Sequence, residues 1–382
     1  MFTIVIYLVI LLAIGIAFNK ESTRNRRIQF VLCFFLLFLF YGFRGLPVLN
    51  DTAHYYQDFY ERLQDSSFFK EPLFYYDFLD RFEFGYIVML RFISRYVWSD
   101  PYSIILLSSL WTTIAVLWFV GKFTNRIALV IFILWLGMSE YYNVIRQTLS
   151  VIIFFVAYFQ LEKRNYIRFV FLAALAFAFH RAGIVLFILP VITRLKFSKQ
   201  NVSIFLIITV IVSYSVYPLV ELLQFYETDY LDPSRERETL PYASIINVTL
   251  ESMLLIATFV LQKHYSLPKL NDTFMWMVVV NWAIGIISLP LGILGRYGRY
   301  FQFFPYLYFI AIYGYTQNYK TVSLLKTRLT NKRIGNRFLF ILLILLFFKI
   351  VLQLELKNEW NHMLPYSFYD FSALTHEMDY GY

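Results

Sequence analysis

The stretch that decides how this chain is laid out is residues 166–191, YIRFVFLAALAFAFHRAGIVLFILPV. It is almost wholly apolar, and a single bilayer crossing takes about 20 such residues. Its flanks argue against a single crossing. Lys163, Arg164 and Arg168 stand at one end, Arg194, Lys196 and Lys199 at the other, and Lys and Arg collect in cytoplasmic loops. A chain with both flanks inside must go out and come back. The run is therefore split at His180-Arg181-Ala182-Gly183 into arms 166–179 and 184–194. Such short arms are accommodated by a thinned bilayer or by partner helices.

The same reasoning extends outward. Further apolar runs cover 2–18, 28–43, 102–121, 127–142, 147–161, 202–220, 244–262, 274–294, 300–315 and 338–354. The first has no basic residues ahead of it and no small-residue cleavage site, so it is a retained span rather than a signal peptide. Basic stretches at 20–27, 122–126, 163–168, 194–199, 263–269 and 320–337 belong inside, whereas 44–82 and 221–241, rich in Asp and Glu, belong outside. Parity then gives about 12 crossings with both termini outside, and ten or eleven if one basic cluster breaks the rule. Composition agrees: of 382 residues 59% are apolar and only 15% charged, with mean hydropathy +0.58, against about 25% charge in soluble proteins. The single cysteine, Cys33, excludes a disulfide framework and a zinc ribbon. The net charge of +9 is explained by the cytoplasmic loops, so no nucleic-acid partner is expected. The expected fold is all-α, a polytopic transmembrane bundle of about 10–12 spans forming one domain over residues 1–382. Outer loops are placed at about 44–100 and 221–242, and an outer tail at about 355–382.

This topology gathers the unusual polar residues at one level. Arg44 and Asp51 follow the second span, Arg146 and Gln147 lie at the next outer turn, and His180 and Arg181 at the split. Arg296 and Arg299 sit in the turn 295–300. Positive charge is depleted on the outer side, so five arginines there call for a reason. Snorkelling at helix ends accounts for any one of them. A converging set is a pocket for phosphate or diphosphate, because guanidinium forks match phosphate oxygens. Asp51, Tyr55 and Phe59 are spaced i, i+4, i+8 on one helix face. With Tyr56, Tyr60, Phe74, Tyr75, Tyr76 and interleaved Asp residues, they suit sugar binding or an interfacial aromatic belt. Glu83-Phe84-Gly85-Tyr86 opens an amphipathic helix with Leu90, Ile93 and Val97 on its apolar side and Arg91 and Arg95 between. His180 interrupts an apolar stretch and is either structural at a helix break or a general base. His54 with Asp51 and Asp58 is too poor a donor set for a metal. The spans read as nearly charge-free, Lys349 being the clearest exception.

Taken in order, Arg44, Asn50-Asp51, Tyr55, Phe59, Glu83-Phe-Gly-Tyr86, Ile145-Arg-Gln147, Phe179-His-Arg-Ala182, Arg296-Tyr-Gly-Arg-Tyr-Phe301 and Pro365-Tyr366 make a pattern. It resembles the EpsG-like family of polysaccharide polymerases, relatives of the Wzy O-antigen and capsule polymerases. Asn50 stands where the family has Gly, and Arg181 where a small hydroxyl residue is usual. The resemblance implies a metal-independent glycosyltransferase without cofactor in the bacterial cytoplasmic (inner) membrane, its site facing the periplasm or exterior. Its partners would be an undecaprenyl-diphosphate-linked glycan donor and acceptor, membrane lipids and a Wzz-type chain-length regulator, with no nucleic acid. The expected roles are Arg146, Arg296, Arg299 and Arg44 on the diphosphates, and His180 or Asp51 as the base. Tyr55, Tyr56, Phe59, Glu83, Gln147 and Tyr300 are expected to hold the glycan. A flippase or exporter of the same lipid-linked sugar, or a membrane O-acyltransferase, is the alternative.

Overall fold

The computed structural model describes residues 2–18, 22–70, 83–223, 242–264, 270–290, 292–318, 335–337, 339–344, 363 and 366–370. Among the described residues the regular structure is helical, apart from one isolated antiparallel bridge between Arg44 and Phe368. Three helices are long and apolar enough to cross a bilayer: Thr23–Gly42, Ser103–Phe123 and Ile145–Glu162. Among the described residues the other apolar helical stretches run 10–17 residues. Aromatic residues 74–76, most of the expected loop 221–242, nearly all of the tail 355–382 and the second half of the run 338–354 with Lys349 lie outside the described residues. Contacts group the chain into two compact units, one of residues 1–121, 125–148 and 346–382, the other of residues 122–124 and 149–345.

In the first unit, α1 (Phe2–Ala17) and α2 (Thr23–Gly42) pack on each other and on α6 (Ile127–Ile133). Ser22 caps α2 by accepting the Asn25 N–H at 3.1 Å. One buried side chain then ties three segments. Gln29 Nε2 donates to the carbonyls of Phe18 and Asn125, each at 2.9 Å, and its Oε1 accepts the Ala128 N–H at 2.9 Å. It thereby satisfies end groups of α1 and α6 that have no intrahelical partner. The expected span 127–142 is two helices, α6 and α7 (Trp135–Asn143), divided at Leu134. The predicted amphipathic helix is α4 (Phe84–Tyr96), with Ile87, Leu90 and Ile93 buried. Val97 departs from the prediction at 52% exposure, because the helix ends at Tyr96 and the following residue leaves the helical period. The helix α3 (Asn50–Gln64) precedes α4, and α5 (Ser103–Phe123) follows it.

In the second unit the split of 166–191 is found. The helix α9 (Tyr166–Phe179) follows α8 (Ile145–Glu162) and stops at His180. The chain turns back as a 3-10 helix, η1 (Arg181–Ile188), that packs along α9 and continues into the short α10 (Leu189–Ile192). A Cβ on Gly183 would fall 2.8 Å from Phe177 N and 2.9 Å from Phe177 Cα, so the return depends on a residue without a side chain. The remaining helices are α11 (Lys199–Leu223), α12 (Tyr242–His264), α13 (Asp272–Ile287) and α14 (Phe303–Asn318). Where a span to residue 294 was expected, α13 ends at Ile287 and a second 3-10 helix, η2 (Gly292–Tyr300), folds back beside it. Both 3-10 helices far exceed the usual three or four residues, and they pack against each other. Non-helical or tightened backbone at membrane depth is found where protein buries it or where it lines a cavity.

Candidate functional site

The first unit holds two of the expected arginines, and they differ in kind. Arg44 follows α2 and is fully buried. Its Nε donates to Thr52 Oγ1 at 2.9 Å, and its Nη2 to the Tyr142 carbonyl at 2.8 Å. Its Nη1 donates to Ser109 Oγ at 3.1 Å and to the Tyr41 carbonyl. Four of the five guanidinium protons are thus taken by neutral protein acceptors. Burial pulls its pKa below the ordinary value, with the surrounding tyrosines opposing. The backbone here is tied down as well: Tyr102 Oη donates to the carbonyls of Gly42 and Arg44, each at 2.8 Å. Gly45 N–H donates to Ser367 O at 2.8 Å, and Tyr369 N–H to Phe43 O at 2.9 Å. Arg44, expected to grip a lipid diphosphate, is corrected to a buried strut. No side chain with zero exposure can reach an external phosphate.

Arg146 opens α8 and is only half-buried. Its Nη1 meets Glu83 Oε2 at 2.5 Å, and the Tyr55 hydroxyl is hydrogen-bonded to the same guanidinium. Glu83, expected on the glycan, is therefore the counter-ion of Arg146. Tyr86 closes the cluster, its ring 5.9 Å from that of Tyr55. Burial raises the Tyr55 phenol pKa, against the lowering pull of the Arg146 charge. Asp51 is half-buried in the first turn of α3, and its N–H donates to Asn143 Oδ1 at 2.8 Å. The entry to this helix is strained: Leu49 has φ 68°, a region a bulky side chain rarely adopts. Strain of this kind clusters at functional sites. The i, i+4, i+8 reading is right about the helix, but its aromatics face inward. Tyr55 and Tyr56 are buried, and Phe59 is fully sealed. Gln147 is also buried, at 1% exposure. Phe59 and Gln147 are thus corrected from glycan contacts to interior packing, because the amphipathic face that periodicity reveals is the one that folds inward.

The second unit gathers the rest. His180 ends α9 and caps η1, its Nδ1 accepting the Ala182 N–H at 3.1 Å. With that lone pair engaged, the neutral imidazole carries its proton on Nε2. His180 thus presents a donor, and the general-base role expected of it needs a lone pair that the fold has occupied. Arg181 is exposed. On η2, Arg296 is exposed and Arg299 half-buried; the expected turn 295–300 is part of this 3-10 helix packed on α13. Tyr300, expected on the glycan, is fully buried. Its hydroxyl pairs with Ser150 Oγ at 2.7 Å, while Ser150 Oγ donates to Ala176 O at 2.6 Å. One serine of α8 therefore fastens the last turn of α9 to the end of η2. Sequence reasoning missed Ser150, which lies unmarked in an apolar run.

A family model described as the EpsG family matches residues 27–368. The chain belongs to the EpsG family. The matched region takes in α2 to α14, and with them Arg44, the Arg146 cluster and both 3-10 helices. No curated protein and no solved structure matches it.

Proposed function

We propose that this EpsG-family chain is a polysaccharide polymerase that joins undecaprenyl-diphosphate-linked oligosaccharide repeat units on the outer face of the cytoplasmic membrane. The observation that supports the reading is the packing of η1, which begins at Arg181, on η2, which carries Arg296 and Arg299. In the reaction the glycosidic bond between the growing chain and its lipid diphosphate breaks. A bond forms between that anomeric carbon and a hydroxyl of the incoming unit. The diphosphate leaves with its negative charge, and the hydroxyl loses a proton.

Arg296 and Arg299 are assigned to the departing diphosphate, where fixed cations in a water-poor setting lower the barrier most. His180 donates its Nε2 proton in a hydrogen bond to a phosphate or leaving oxygen. Asp51, in the first unit, is the other residue expected as a base. In the first unit, Arg146, oriented by Glu83 and Tyr55, is assigned to an anionic group of the substrate. The basic inner loops support an outward-facing site.

The test is glycan banding from a strain lacking this gene, complemented with Arg146→Ala, Arg296→Ala or His180→Ala at matched protein levels. The reading expects short or absent ladders from each. Full-length polymer from all three would remove it.

A further inference from the structure

Glu251 is an ionisable group that hydropathy reading passes over. It lies in α12 within the apolar stretch Val248–Val260, about 14 Å along the helix from its first residue. A carboxylate in such a setting is costly, pairs with something, and marks function by default. Its Oε2 accepts a hydrogen bond from Asn281 Nδ2 at 2.9 Å. Asn281 belongs to α13 and is buried. With the nitrogen end of that amide turned to the carboxylate, its oxygen end lies toward Gly298 of η2. A Cβ on Gly298 would stand 3.9 Å from Asn281 Oδ1 and 3.6 Å from Ile284 Cγ2. Helices α12 and α13 come close at Gly285, where a Cβ would lie 3.1 Å from Val248 Cγ2 and 3.9 Å from Glu251 Oε2. On α14, Tyr306 is near enough to interact with the Glu251 charge.

Gly298 lies between Arg296 and Arg299 on η2. We infer that Glu251 is a positioning residue for this arginine helix. Its carboxylate fixes the Asn281 amide, the amide seats Gly298, and the seat sets the spacing at which Arg296 and Arg299 meet a diphosphate. The inference rests on reading η2 as the diphosphate cradle. A charged acceptor holds an amide about twice as strongly as a neutral one, which is a reason for Glu at a place where Gln would also accept.

The experiment uses the full chain in lipid nanodiscs, with geranylgeranyl diphosphate as ligand and the monophosphate as control. Glu251→Leu removes the acceptor and is expected to weaken diphosphate binding about tenfold, whereas Glu251→Gln stays within about threefold. In an Arg299→Ala background, Glu251→Leu is expected to change affinity less than about twofold, since residues acting through one another are not additive. If Glu251→Leu does not fold, Asn281→Ser takes its place in the same cycle. Equal losses from Leu and Gln would overturn the inference, and so would a Leu effect that persists without Arg299. A wild type that binds diphosphate no better than monophosphate would instead remove the cradle, and this inference with it. Wild-type selectivity with a failed cycle removes the inference alone.

Discussion

Arg44 in the first unit and Arg296 in the second were indistinguishable in the sequence: each is an arginine just past an apolar run, on the side where arginine is scarce. In the structure one is sealed and bonded to two backbone carbonyls and two hydroxyls, while the other is exposed on a 3-10 helix of nine residues. The difference teaches that charge placement fixes the level of a residue but not its direction. An arginine with every partner supplied by its own chain holds the fold. One exposed on a 3-10 helix is the one proposed to meet the substrate.

The comparison can be broken at either end. The largest effect is expected from Arg44→Ala, which takes the guanidinium from the Tyr142 carbonyl and leaves the Tyr41 carbonyl only the Ser109 hydroxyl at 3.3 Å. Burying unsatisfied acceptors costs about 3 kcal/mol in all, read as a fall in melting temperature and in membrane protein level. Arg296→Ala is the converse. It is expected to lower polymer formation about 100-fold with the melting temperature unchanged, measured on purified protein. If the two variants behaved alike, the distinction between strut and displayed cation would be lost.

Smaller effects sharpen the account within the second unit and along α4. Ser150→Ala removes the link between α9 and Tyr300, and a loss of about 1 kcal/mol is expected. Hydrogen exchange at the amides of 292–300 should report it, with faster exchange in η2 than in α13. Val97→Ser is expected to change stability by less than about 0.5 kcal/mol, whereas Leu90→Ser, on the buried side of α4, should lower the denaturation midpoint clearly.

Much of the architecture was readable, and for definite reasons. The turn at His180 followed from cationic residues at both ends of one apolar run, a contradiction that only a return of the chain resolves. The α3 face followed from spacing alone. What was hidden depended on tertiary contact. Nothing in 288–300 distinguishes an outer turn from a 3-10 helix packed on α13, because the tightening is imposed by neighbours. Gln29 reads as the polar start of an apolar run and turns out to cap two other helices. Glu251 is diluted by its neighbours when hydropathy is averaged, so the spans look freer of charge than they are. Tyr300 and Gln147 were expected on the glycan from the resemblance, yet both are buried, because adjacent residues on a helix point different ways.

The most direct measurement is elongation by the purified protein in proteoliposomes, fed lipid-linked repeat units extracted from a strain lacking this gene. The account predicts a glycan ladder with one lipid diphosphate released for each new linkage, and neither product when Arg296 and Arg299 are both replaced by Ala. Ladders that form as well without those two arginines, or an intact protein that translocates the lipid-linked unit without lengthening it, would contradict it.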